Sequence, residues 1–173
     1  MPTSPNPEAE VSRSTSLERI RREAKRGLSN STLKEILREA KLRPTRQRLA
    51  LGALIFGSGD RHFTAERIAR QAQAMRPRLS IATVYNALGQ FSNAGLLREI
   101  AVFGSTTWYD TKIGPHCHLF IEETGDLIDM PDTISATLCS LSVPDHFDVA
   151  GVDILVRVRS RPCDADEPAA DSS

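Results

Sequence analysis

Several things are missing from this chain, and each absence narrows its role. The three cysteines, Cys117, Cys139 and Cys163, form no CxxC pair and leave an odd thiol. That argues against a disulfide framework and for a reducing compartment. No stretch approaches the roughly 18 consecutive apolar residues that span a bilayer. The first residues, MPTSPNPEAEVSRSTS, have no apolar segment of the secretory kind. The expectation is a soluble, cytoplasmic protein with no membrane partner. No internal repeat is present, and 173 residues allow one or two small domains.

Net charge is missing as well: 22 Lys and Arg balance 22 Asp and Glu. Taken alone, this argues against a polyanion binder, which carries a basic excess. The balance is local, however. Residues 1–100 carry 18 basic and 9 acidic side chains, and residues 101–173 carry 4 basic and 13 acidic ones. Such asymmetry points to two modules with different partners.

Hydrophobic spacing divides the chain in the same place. Residues 1–30, rich in Pro, Ser, Glu and Arg, read as a disordered arm, and 162–173 as a disordered tail. Leu33, Ile36, Leu37 and Ala40 share one helical face. Thr45, Thr64 and Ser80 can cap three further helices, the last with Val84, Leu88 and Phe91 turned inward. The period then changes to that of strands, at 96–102 and 106–111 around Phe103-Gly104-Ser105. Helices followed by a hairpin predict a winged helix-turn-helix over 31–111. Residues 112–161 predict a small α/β domain: strands at 116–121 and 127–130, a helix from Pro131 with Ile134, Leu138 and Leu141 on one face, and a closing strand through Val152, Ile154, Val156 and Val158. The fold class is α+β.

The basic half reads as a DNA binder. From Lys41 to Ser80 nine basic residues face two acidic ones, Asp60 and Glu66. That density suits phosphate neutralisation. In SIATVYNALGQF the first turns offer Ser80, Thr83, Tyr85 and Asn86, the mix a recognition helix needs at its N-terminal end. A Tyr ring can touch a thymine methyl, Asn can pair with an adenine edge, and Arg43 beside Pro44 can enter a minor groove. Arg46 and Arg48 follow on the same segment. The plainer alternative makes Tyr85 a half-buried core aromatic.

His116-Cys117-His118 is the main chemical signal of the acidic half. Strand alternation places both histidines on one face and Cys117 on the other. Asp110 at the end of the wing strand, Asp129 on the paired strand and His62 before the third helix are further ligand candidates. Histidines with carboxylates suit Fe(II), Mn(II) or Zn(II). Taken as a bare pattern, His-x-His is common and fits ordinary surface histidines better than a metal site.

The segments KLRPTRQR at 41–48, RHFTAERIA at 61–69, SIATVYNALGQFSNAGLL at 80–97 and WYDT at 108–111 resemble the ferric uptake regulator superfamily of bacterial metalloregulators. LREAKLRPTRQRLALG at 37–52 and VDILVRVR at 152–159 look most like its iron response regulator branch. The resemblance implies a homodimeric regulator, a repressor in many members, that binds double-stranded operator DNA. It also implies one regulatory metal site per chain, mapping onto His62, Asp110, His116, His118 and Asp129. The superfamily's CxxC zinc pair is replaced by Ile121 and Thr124, so no four-cysteine structural zinc is expected. The branch carries three consecutive histidines linked to heme binding, and here the middle one is Cys117. His116, Cys117 and His118 are therefore heme candidates, with Cys117 open to three roles: thiolate ligand, redox-sensitive thiol or buried small residue.

Three functions follow as expectations. The leading one is an iron- or heme-responsive regulator of iron-uptake, iron-storage and heme-synthesis genes. The second is a peroxide sensor in which peroxide, reacting with Fe(II) at the same site, oxidises a ligand histidine. The third, a metal enzyme using His116, His118 and a carboxylate, lacks an identifiable general base, and the chain is expected not to be an enzyme.

Overall fold

The computed structural model describes residues 28–75, 78–102, 106–114, 116–130, 144, 146 and 154–160. The chain forms two compact units, Met1–Pro115 and His116–Ser173.

In the first unit, Ser29 accepts a hydrogen bond from the Thr32 amide and caps α1, Asn30–Glu39, the first element among the described residues. Leu28 already packs on the core, so ordered structure starts before residue 31. Leu33, Ile36 and Leu37 are fully buried, as their spacing requires, while Ala40 is only partly covered. Thr45 caps α2, Arg46–Phe56, Thr64 caps α3, Ala65–Ala74, and Ser80 caps α4, Ile81–Asn93. In each case the hydroxyl accepts from the third amide of its helix, a contact worth about 1 kcal/mol. Val84, Leu88 and Phe91 are fully buried, and the Phe91 ring lies 6.0 Å from that of Phe56.

A three-stranded sheet completes this unit. Its strands are β1, His62–Thr64, β2, Arg98–Ala101, and β3, Thr107–Asp110, arranged β1-β3-β2 and antiparallel throughout. The wing strands lie within the ranges their alternation predicts, and the turn at 103–105 lies outside the described residues. Strand β1 is an addition. Three residues are too few to show a period, and only pairing with β3 makes them a strand. That pairing sets His62 opposite Asp110 and Phe63 opposite Tyr109, whose rings stack at 5.8 Å.

The second unit holds a sheet ordered β5-β4-β6: β4 is Cys117–Ile121, β5 Asp126–Asp129 and β6 Ile154–Val158. Strands β4 and β5 form an antiparallel hairpin, whereas β6 lies parallel to β4. Parallel neighbours need a long crossover. The expected helix from Pro131, and Val152 with Asp153 of the closing strand, fall outside the described residues. Arg157 and Arg159 reach Glu122 from the strand's end. Among the described residues no helix is long and apolar enough to cross a membrane.

Candidate DNA-reading surface and metal ligands

Helix α4 buries Val84, Ala87, Leu88 and Phe91 and leaves its opposite side to solvent. Tyr85 is 43% exposed, and Asn86 beside it is also exposed. The reading of Tyr85 as a half-buried core aromatic is thereby set aside. Its hydroxyl donates to Glu66 Oε1 of α3 at 2.7 Å. Ile81, four residues earlier on the same side, is 52% exposed. Neither Glu66 nor Ile81 is singled out by the sequence: acid in a basic segment and one isoleucine in a helix carry no distinctive pattern. Ser80 is exposed and half occupied as a cap, accepting from the Thr83 amide at 3.1 Å and sharing a hydroxyl contact with Thr83 at 2.8 Å.

The basic residues divide by task. Arg43 and Arg46 are exposed, as are Lys41, Arg70 and Arg78. Arg48 is half-buried and engaged with its neighbours instead. Its Nη1 donates to the Arg43 carbonyl at 2.6 Å, and its Nε and Nη2 both donate to Gln90 Oε1, at 2.9 and 2.7 Å. It ties the α2 entry to α4, so its place in this surface is as a brace rather than as a free cation. Arg61 caps the α2 end through the Leu54 carbonyl and lies over Phe63, and burial pushes its guanidinium below the ordinary value. Arg67 lies over the Trp108 ring at 5.2 Å. Arg76 falls outside the described residues.

Metal-ligating side chains occur in both units. In the first, His62 Nε2 stands 3.6 Å from Asp110 Oδ1. Asp110 is fully buried, and the Lys112 amide donates to the same oxygen at 2.7 Å. In the second, one donor atom each from His116, His118 and Asp129 lies within 4.8 Å of the others. His116 Nε2 is 3.0 Å from Asp129 Oδ1, and the two imidazoles are 4.3 Å apart at their centroids. Register explains the proximity: His118 pairs directly with Asp129 across β4 and β5. Both histidines are buried, and Asp129 is 31% exposed. Within this unit the facing atoms, Nε2 of His116 and Oδ1 of Asp129, are buried, as is Nδ1 of His118. Imidazole nitrogens and carboxylate oxygens converging in this way fit a borderline divalent cation.

Cys117 is a buried free thiol at the start of β4. Alternation sends it away from His118, so Cys117 and His118 cannot serve one iron from the same side of the strand.

The profile described as the ferric uptake regulator family matches residues 39–152. The chain belongs to the ferric uptake regulator family. Among relatives of this family, the peroxide-responsive repressor PerR of Staphylococcus epidermidis is 32% identical over 93 residues, covering 54% of this chain and 61% of the repressor. The match thus spans about three fifths of that relative's length. The structure of the ferric uptake regulator from Pseudomonas aeruginosa with manganese aligns with a TM-score of 0.63 at 24% identity, over 75% of this chain and 98% of that one. The ferric uptake regulator from Francisella tularensis with iron aligns at 0.56 and 17% identity, over 69% and 92%. These two likenesses establish the family fold: a winged helix-turn-helix joined to a small α/β domain.

Proposed function

We propose that this family member is a metal-responsive transcription regulator of the iron response type. In this reading it acts as a homodimer on double-stranded operator DNA and controls iron-uptake, iron-storage and heme-synthesis genes. One observation carries the reading: donor atoms of His116, His118 and Asp129 in the second unit lie within 4.8 Å of one another, and within the first unit His62 stands beside the buried Asp110. We assign all five to a single regulatory site. A bound Fe(II), Mn(II) or Zn(II) would supply two positive charges to otherwise costly buried carboxylate and imidazole groups. The chain's own residues do the rest. Asp110 ends β3 of the wing sheet and His118 lies on β4, so shared ligation would couple the DNA-reading unit to the second unit and bias the equilibrium between DNA-binding states. Tyr85, Asn86 and Ile81 face the bases, while Arg43 and Arg46 meet phosphates or the minor groove.

A second reading, peroxide response through Fe(II) at the same ligands, is favoured by the identity with the staphylococcal repressor. Enriching duplexes from a random pool with the purified protein, then titrating Mn(II), Fe(II) and heme separately, separates the two. Under the iron reading, Mn(II) and Fe(II) each change affinity for the enriched duplex tenfold or more, and peroxide leaves the Fe(II) response in place. Peroxide abolishing the Fe(II) response while sparing that to Mn(II) establishes the second reading. Response to heme but to neither metal rules out the five-ligand assignment.

A further inference from the structure

Helix α4 projects an exposed tyrosine whose hydroxyl is committed to a neighbouring helix. We propose that Glu66 is a positioning residue for sequence reading: its carboxylate holds the Tyr85 ring in its base-reading orientation. The inference rests on the DNA-binding part of the proposed function and adds a specificity-determining residue to it.

Three observations support this role. An exposed tyrosine on a helix ordinarily samples several rotamers, and ordering it on DNA has an entropic cost. Here the Oη–Oε1 contact of 2.7 Å joins α3 to α4 and favours one placement of the ring in the absence of DNA. Glu66 itself is held, because it sits in the first turn of α3, capped by Thr64. The bond is also charge-assisted: donation from Tyr85 is the main reason the Glu66 carboxyl is held below its ordinary range, and the same bond pushes the Tyr85 phenol up.

Charge supplies the third observation. Between Lys41 and Ser80 there are only two acids, and Glu66 is one of them, exposed beside the reading helix. A carboxylate there opposes counterion-release binding to any duplex. That term acts on every duplex alike and lowers overall affinity, so the specificity ratio is raised by the pinned ring through its operator contacts. A carboxylate serving only the α3 dipole would alter stability and leave that ratio alone.

The full chain tests this in two ways. The protein has two tyrosines, so in a Tyr109→Phe background ultraviolet difference spectroscopy follows Tyr85 alone. Its phenol should titrate above the ordinary value of about 10 and fall back in Glu66→Ala. Binding is then measured to a duplex enriched from a random pool and to a shuffled duplex of the same composition. Glu66→Ala should reduce the ratio of the two affinities roughly tenfold, the scale of one good base contact. Tyr85→Phe, which keeps the ring and removes the donor, should reduce it similarly and serves if Glu66→Ala does not fold. Glu66→Gln keeps an acceptor oxygen, so it should raise both affinities while retaining more of the ratio than Glu66→Ala. A folded Glu66→Ala with an unchanged ratio, or a parent phenol titrating at its ordinary value, overturns the proposal. If the parent enriches no duplex, the regulator reading falls along with this one. If it enriches duplexes that Glu66→Ala reads equally well, only the role of Glu66 falls.

Discussion

Arg43 and Arg48 lie five positions apart, carry the same charge and have opposite prospects. Arg43 is exposed and its carbonyl is held by Arg48. Arg43→Ala should therefore weaken operator binding and reduce the slope of log affinity against log salt by about 1, with stability unchanged. Arg48→Ala removes the brace to Gln90 and the Arg43 carbonyl. It should lower unfolding stability by about 1 kcal/mol, a value kept small because these contacts are solvent-accessible. Gln90→Ala should reproduce most of that loss in thermal denaturation. The sequence places both arginines in one basic run, and their division rests on Gln90, 42 positions from Arg48. A contact at that separation has no local signature.

Helices α1 and α4 end in the same way on different residues. After α4, the Gly95 amide bonds the Ser92 carbonyl and the Leu96 amide bonds that of Phe91, with Gly95 at φ 72°. After α1, Lys41 stands in the corresponding place at φ 58°, with its amide on Arg38 and that of Leu42 on Leu37. Both are Schellman ends with a leucine folded back onto the core. A left-handed conformation strains any residue with a Cβ by about 1 kcal/mol. Lys41→Gly should accordingly raise the melting temperature by a few degrees, and Gly95→Ala should lower it by a similar amount, both read by calorimetry. The Asn93-Ala94-Gly95 stop is legible in the sequence because glycine advertises it. The stop at Lys41 is not, since lysine rarely takes that conformation. Strand β1 is silent for another reason: three residues become a strand only through partners 44 to 48 positions away.

For the molecule as a whole, the zero net charge is a sum over two units with different work. The first concentrates cations along Lys41–Ser80, and the second carries an acidic excess that includes Asp129. If the five ligands form one site, saturating Mn(II) should stabilise the protein by about 2.7 kcal/mol at a hundredfold excess over its dissociation constant. His62→Ala in the first unit and His118→Ala in the second should each remove most of that stabilisation. The double variant should lose little more, since either substitution already dismantles the site. Additive, half-sized losses would instead mean two independent sites. Thermal unfolding with and without Mn(II), after chelator treatment, distinguishes the outcomes.

What the sequence determines by itself is everything carried by local chemistry: the capping hydroxyls at Thr45, Thr64 and Ser80, the buried faces of α1 and α4, and the alternation of the wing strands. These follow from hydrogen-bonding geometry and from periods of 3.6 and 2, which neighbouring residues are enough to reveal. Tertiary structure alone decides which of the similar residues share a task. It sets His62 opposite Asp110 and His118 opposite Asp129 by strand register, joins Arg48 to Gln90, and delivers Glu66 to the hydroxyl of Tyr85. Apart from His118 with Asp129, which share one hairpin, these pairings join positions 19 to 48 apart in the chain. Only the packing that buries the core brings them within reach.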